Sequence, residues 1–522
     1  MFPVSLIRHP DPELFFAVVG PVGADVESVC EGLERVLGRF GYSLYTVRVI
    51  EELKRIEGYL ENESDFFDKK LENRMNEGDR FRKETGMDEA LALLALDNVR
   101  RFRKRKDSES VTISRQAYLF RSLKRPEEVI ALRRIYGSNL VVIGIHAARD
   151  KRIENLAELI ARSRFSAQRD RYRDKAESLI IRDESDETKE HGQQLRKAFP
   201  LADFFLDSSN AQTIEIEIER FLNLLFGKPV VTPTKDELGM AHAYVAGLRS
   251  AELGRQVGAA ITDADGSLVA VGTNEVPKAG GGGYFDGDSP DGRDWSKGFD
   301  SSDRYKKANL GELLSTLSKK KFLRKELQTL TTTELIKRVT PAIKQTRTMQ
   351  LIEFIRATHA EVSALMDAAG RGARIKHCTM YVTTFPCHEC ARNIVSSGIA
   401  RVVYIEPYAK SLALELHENS IQLDVDTDPS KIPFMPFLGV SPRDYPIIFQ
   451  MSNRKSDDGK LINWKAATSH PRVSGSFWSY IEYEKEDLKS LRDAIKSGAE
   501  AKEKRMQSKR RKQSTVKKGK SK

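Results

Sequence analysis

Residues 14–19 (LFFAVV) form an uninterrupted apolar run, which predicts a short buried strand. The run passes through Gly20-Pro-Val-Gly23-Ala-Asp25 into a stretch, roughly 25–40, where Val26, Val29, Leu33, Val36 and Leu37 recur at helical spacing. Asp25 stands where it can cap that helix. Residues 43–50 (SLYTVRVI) predict a second strand, 139–146 (NLVVIGIH) a third that is fully buried, and 203–206 (DFFL) a short fourth. Helical periodicity returns near 153–163 and 211–226, and the charged stretch 51–135 reads as mostly helical. Strands alternating with helices predict a parallel α/β sheet.

Residues 228–235 (KPVVTPTK) carry two prolines and no helical period, so a linker is expected over 228–237. Beyond it come a helix near 237–250 and a hairpin of 259–262 with 268–272 around Asp265-Gly266. A Gly/Asp/Ser-rich loop near 279–300 and charged helices over 303–345 read as an insertion, 280–345. A helix then carries His359 to Ala369, followed by a strand at 379–384, a helix at 387–397 and a strand at 402–406. The second domain is placed at 238–485, with a charged helix and a basic disordered tail over 486–522.

Composition changes this picture in two places. The formal net charge is +11, but residues 501–522 hold eleven Lys/Arg and one Glu, so the body is near neutral and only the tail offers a cationic surface. The four cysteines are Cys30, Cys378, Cys387 and Cys390, too few for a disulfide scaffold; two in C-x-x-C spacing favour a reducing, cytoplasmic setting and a metal site. No apolar run of about 18 residues appears, so no membrane span is expected. No secretory signal is legible at the start of the chain.

The chemistry concentrates in His359-Ala360-Glu361 and Pro386-Cys387-His388-Glu389-Cys390. A catalytic zinc wants three protein ligands and one open position, and one imidazole with two thiolates supplies three. Two cysteines three apart on the first turn of a helix face the same side, where the helix's positive end favours thiolates. Glu361, two residues past His359, is better placed to shuttle a proton between water and a substrate than to ligate the same ion. A structural zinc corner or an unligated pair is the bland alternative for the cysteines. Cys378 reads as a small buried apolar residue. His388 is either an exposed neighbour or a fourth ligand.

With Gln256-Val-Gly-Ala259 and Gly272-Thr-Asn274-Glu-Val-Pro277, these motifs resemble the deoxycytidylate deaminase family over most of 238–410, the 280–345 insertion being a departure. The resemblance implies a cytidine-deaminase-like α/β/α domain, a Zn2+ cofactor and free deoxycytidine nucleotides as substrates. It assigns sugar and base contact to Asn274 and pyrimidine readout to the backbone of Ala360. Arg255 becomes a phosphate candidate, with an ordinary exposed arginine as the alternative; Lys410 is a second phosphate candidate on the same terms.

The first half resembles a P-loop nucleotide-kinase fold, with Gly20, Gly23 and Asp25 at the loop and Arg182-Asp183, Gly192-Gln193, Phe199 and Ala202-Asp203 matching the later part of deoxynucleoside monophosphate kinases. The loop lacks the Lys-Ser/Thr pair of a working phosphate loop, so this domain (1–227) is expected to sense a nucleotide or bind a partner instead of transferring phosphate. A degenerate kinase-like domain joined to a deoxycytidylate deaminase resembles the bacterial antiviral deaminases that convert dCTP and dCMP to dUTP and dUMP. That resemblance implies depletion of the deoxycytidine pool in phage infection, an inhibitory small RNA in some systems, and a homo-oligomer. Two other readings stay open: a polynucleotide deaminase served by the basic tail, and a housekeeping dCMP deaminase supplying dUMP. The arginines 162, 164, 169, 171 and 173 suggest either a lid over phosphates or a solvated helix.

Overall fold

The computed structural model describes residues 11–522 except 62, 107–111, 185, 187–190, 344–345, 347–348, 350, 408–410, 425–426, 452–453, 474–476 and 520–522, and without the side chains of 477–479 and 503–519. The chain divides into two compact units, Met1–Glu237 with Leu438–Lys522, and Leu238–Phe437.

The first unit is built on five parallel strands: β1 (Leu14–Val19), β2 (Ser43–Arg48), β3 (Gln116–Arg121), β4 (Leu140–His146) and β5 (Phe204–Asp207). Their spatial order is β2-β3-β1-β4-β5. The all-apolar β1 takes the centre, where every residue is buried, and the mixed β2 takes an edge. β3 lies inside the stretch that sequence periodicity read as helical; its six residues are too few to declare a period between two long charged helices, Phe67–Thr85 and Ala90–Lys106. Val29, Leu33 and Val36 of the helix Val26–Arg39 meet Ile214 and Ile218 of the helix Ala211–Leu225 in one core over the sheet.

The second unit begins near the start of the helix Lys235–Gly247 and holds β6 (Gly258–Thr262), β7 (Leu268–Thr273), β8 (Thr379–Thr384), β9 (Arg401–Glu406), β10 (Ile421–Leu423) and β11 (Ile432–Pro436). The order is β7-β6-β8-β9-β11-β10, with β6 antiparallel to β7 and β8 and the remaining pairs parallel. The short β10 and β11 carry no alternation and went unpredicted. The helices Ala360–Gly370 and His388–Ser397 pack on this sheet through Ala360, Ala364, Ala391 and Ile394. The insertion forms helices Ser301–Lys319 and Thr332–Ile343 around a small core of Leu310, Leu314 and Leu335.

The chain then returns to the first unit. β12 (Gly439–Val440) pairs antiparallel with β5, so the second unit ends at Phe437 and not near residue 485 as the sequence analysis had it. Trp464 explains the affiliation: its indole N–H donates to the Phe226 carbonyl at 3.0 Å and its ring lies 6.1 Å from that of Phe40. The final helix, Phe477–Gly519, runs through the stretch expected to be a disordered tail. No helix among the described residues is long and apolar enough to cross a membrane.

Candidate active site

Two helix starts converge in the second unit. His359 is the N-cap of the helix Ala360–Gly370, and Cys387 is the N-cap of the helix His388–Ser397, its sulfur accepting from the Cys390 N–H at 3.4 Å. The extended backbone of each cap residue turns its side chain off the helix axis, and Cys390 joins from the first turn. His359 Nδ1 then lies 3.4 Å from Cys387 Sγ and 3.3 Å from Cys390 Sγ. Two ligands at zinc's usual N and S bond lengths, subtending a tetrahedral angle, stand about 3.6 Å apart. The donor set therefore fits a zinc ion in both chemistry and spacing, and His388 is not one of the grouped donors.

Electrostatics singles out the same three. The Cys387 thiol is pulled down to about 4, first by its hydrogen bond with Cys390 and then by His359. His359 is pushed up to about 9, chiefly by its hydrogen bond to Cys387. Its hydrogen bond with Cys387 first, and then burial, push Cys390 up. Glu361 is 4 % exposed, and desolvation raises its carboxyl above the usual range.

The close approach of the helix Ala360–Gly370 to β7 sets the position of His359 and Glu361. A Cβ on Gly272 would stand 2.0 Å from the Ala360 carbonyl oxygen and 2.3 Å from the Ala364 nitrogen. Only a glycine lets the two backbones meet there.

A cavity of about 300 Å³ opens onto this centre. Asn274, Arg255, Ala360 and Glu361 all line it, as the sequence suggested. The Asn274 amide, though, is already committed: Oδ1 accepts from Val257 N–H at 2.7 Å and Nδ2 donates to the Arg255 carbonyl at 2.8 Å. It thereby holds the loop of Arg255 to Val257 against the pocket. Arg255 pairs with Glu406 at 3.1 Å. Lys410 lies outside the described residues. The loop residues Gly20, Gly23 and Asp25 lie in the first unit; Asp25 caps its helix by accepting from the Ser28 N–H at 3.0 Å.

Sequence reasoning missed the wall supplied by the insertion. Asp294, Asp300, Ser302, Asp303 and Lys306 line the pocket, with Arg356 from the segment before His359. Arg356 is held by Asp294 and by the Gly292 carbonyl. Ser302 is 7 % exposed with an unpartnered Oγ, and Lys306, four residues on, has no ion pair among the described residues. The legible signal was Asp300, a helix cap whose first turns carry Ser302 and Lys306 on one face.

Residues 233–406 match the family described as the cytidine and deoxycytidylate deaminase zinc-binding region. The deoxycytidylate deaminase of Enterobacteria phage T2 is 49% identical over 53 residues, which is 10% of this chain and 28% of that protein. A probable deoxycytidylate deaminase of Drosophila melanogaster is 25% identical over 170 residues, 33% of this chain and 58% of that protein. The chain thus spans less than a third of the length of the phage relative. A crystal structure of dCMP deaminase from the cyanophage S-TIM5 in complex with dCMP and dUMP is 16% identical, covering 39% of this chain and 98% of that one with a TM-score of 0.22.

Proposed function

We propose that the chain is a zinc-dependent hydrolase that deaminates free deoxycytidine nucleotides, dCTP or dCMP, to the deoxyuridine nucleotides and ammonia. One observation carries this reading: a His-Cys-Cys donor group and a buried carboxylate, Glu361, share a cavity of about 300 Å³ inside the matched region. His359, Cys387 and Cys390 would hold a zinc ion, which would supply the Lewis acidity that activates water near neutral pH. Glu361 takes one proton from the attacking water and delivers it to N3 of the pyrimidine, then takes the second from the hydroxyl on C4 and delivers it to the departing amine. C4 becomes tetrahedral, the C4–N bond breaks, ammonia leaves and the uracil ring remains.

The insertion wall supports a free nucleotide over a polynucleotide. Asp300 and Asp303 line the pocket, and a continuous phosphodiester backbone would run against them. Lys306 and Ser302 offer one cation and one hydroxyl, a match for a single phosphate group. The resemblance drawn from the motifs extends the reading to depletion of the deoxycytidine nucleotide pool during phage infection, with a small RNA as inhibitor and a homo-oligomer in the cytoplasm as the working form. The strand order of the first unit supports its reading as a degenerate P-loop nucleotide-kinase relative that binds a ligand without transferring phosphate.

An ammonia-release assay with dCTP, dCMP, CTP, cytidine and a single-stranded oligonucleotide tests the substrate class. The expected result is turnover of dCTP or dCMP and none of the oligonucleotide. Preferred turnover of the oligonucleotide would replace this reading with a polynucleotide deaminase.

A further inference from the structure

The first unit contains a cavity of about 720 Å³, lined by the segments that follow β1, β2 and β3. This is the carboxyl end of the parallel sheet, where the strand order switches from β3 on one side of β1 to β4 on the other. Ligands of open α/β sheets bind at that place, and the volume suits a small organic molecule.

The loop from Gly20 to Asp25 occupies the position where such folds cradle phosphate, but the amides of Val22, Ala24 and Asp25, and of Val26 after them, are already used. Val22 N–H donates to Asp183 at 2.8 Å, Ala24 N–H to the Pro21 carbonyl at 3.2 Å, Asp25 N–H to Ser208 Oγ at 3.3 Å and Val26 N–H to the Ala24 carbonyl at 3.0 Å. The Asp25 carboxylate fills the helix N-terminus itself.

The cations are equally committed. Lys124 reaches Asp183 at 2.9 Å and the Gly20 carbonyl at 2.8 Å. Arg82 pairs with Glu128 at 2.9 Å and Arg74 with Glu63 at 2.6 Å. Arg121 pairs with Glu27 at 2.5 Å, Arg162 with Glu158 at 2.7 Å, and Arg48 lies 3.6 Å from Glu27. Every lysine and arginine lining the cavity therefore lies beside a carboxylate of the chain itself, Glu27 serving both Arg48 and Arg121, and a phosphate entering would compete with these pairs.

The unmet atoms bring no charge that the chain does not already balance: Asp183, whose Oδ1 lacks a hydrogen bond, is ion-paired with Lys124, and the Arg82 guanidinium with Glu128. The Gln193 Oε1 acceptor and the Arg82 Nε donor are buried without partners, on side chains 7 % and 2 % exposed that both line the cavity. Buried polar atoms of this kind call for a ligand that meets them. Val22, Phe67, Met75, Leu91 and Leu156 supply apolar walls around them.

We infer that this cavity binds an uncharged heterocycle with a donor–acceptor edge, a nucleoside or free nucleobase, and excludes the phosphorylated form. The inference rests on reading the first unit as a ligand-binding domain without phosphoryl transfer, and it is independent of the deaminase reading.

Isothermal titration of the full chain with adenosine, guanosine, thymidine, the corresponding bases, ATP and inorganic pyrophosphate tests it. The expected result is binding of at least one nucleoside or base about tenfold or more tighter than ATP, with the base and nucleoside arms telling which of the two is preferred. Gln193→Leu, checked for folding by its melting profile, weakens that binding about tenfold. Should that variant not fold, hydrogen exchange on the unaltered chain is expected to slow over residues 20–26 and 75–82 when the ligand is added. Tighter binding of ATP or pyrophosphate, or no binding of any nucleoside or base at millimolar concentration, overturns the inference. ATP binding accompanied by phosphoryl transfer would also overturn the reading beneath it; ATP binding without transfer would not.

Discussion

Lys306 and Arg255 show how differently two cations of one pocket can be placed. Arg255 stood out in the sequence because it adjoins a family motif, yet Glu406 holds it at 3.1 Å. Lys306 belongs to no motif, and it has no ion pair among the described residues. Lys306→Ala is expected to raise KM for the nucleotide about tenfold or more while leaving zinc content unchanged, since a charge-assisted contact is lost and no metal ligand is touched. Steady-state kinetics with metal analysis checks this. Glu217 makes a separate residue-scale prediction. Desolvation first, and Asp207 second, push its carboxyl up to about 7, and its Oε2 is buried without a partner. The folded state then holds a proton that the unfolded state has released, so this contribution is present below about 4.5 and is lost as pH rises through about 7. Glu217→Gln is expected to be the more stable protein above that pH by ~1 kcal/mol after allowance for partial solvent screening, the advantage vanishing toward acid. Melting curves across that range read it.

At the scale of elements, the His-Cys-Cys centre depends on how a helix rests on a strand. Gly272→Ala puts a methyl group against backbone atoms that have nowhere to yield. A loss of ~3 kcal/mol or more is expected, with zinc content falling in step because His359 moves with its helix. Melting temperature and metal analysis check both. The same element shows what was legible in the sequence. His359, Glu361, Cys387 and Cys390 could be read because ligand chemistry demands those residue types at local spacings, and the two helix caps that aim them are local too. β3, β10 and β11 could not: β3 is embedded among long charged helices, and β10 and β11 carry a glutamine and two prolines in place of an apolar run and are defined by partners distant in the chain. The pocket wall of the insertion failed for the same reason: Ser302 and Lys306 acquire meaning only from what lies across from them.

At the scale of the whole molecule, the chain's last helix completes the unit that its first strand begins. Glu484 is fully buried and accepts from Arg103 at 2.8 and 2.9 Å and from the Tyr136 hydroxyl at 3.0 Å, while Glu13 pairs with the same arginine at 2.8 Å. Glu484→Leu would leave a buried guanidinium half-compensated, and a cost of ~3–5 kcal/mol is expected in denaturant unfolding. This link also explains why the second domain looked longer in sequence than it is. Nothing local in residues 438–485 tells that they return to a sheet built from residues 14–207. The cationic end of the chain belongs to the same scale. Removal of residues 503–522 takes away nearly all of the net charge, and any salt-dependent binding of a polyanion such as RNA measured on the full chain is expected to be lost with it, while the proposed nucleotide turnover is unchanged.

The central claim is that the His-Cys-Cys centre is catalytic and that Glu361 moves the proton. The most direct measurement is zinc content and ammonia release, made side by side on the unaltered chain and on Glu361→Gln with dCMP and dCTP. The account predicts about one zinc per chain in both and a loss of turnover of about a hundredfold or more in the variant. Equal turnover by both proteins, or retained zinc with no deamination of any cytosine substrate by the unaltered chain, would contradict it and leave a structural metal site.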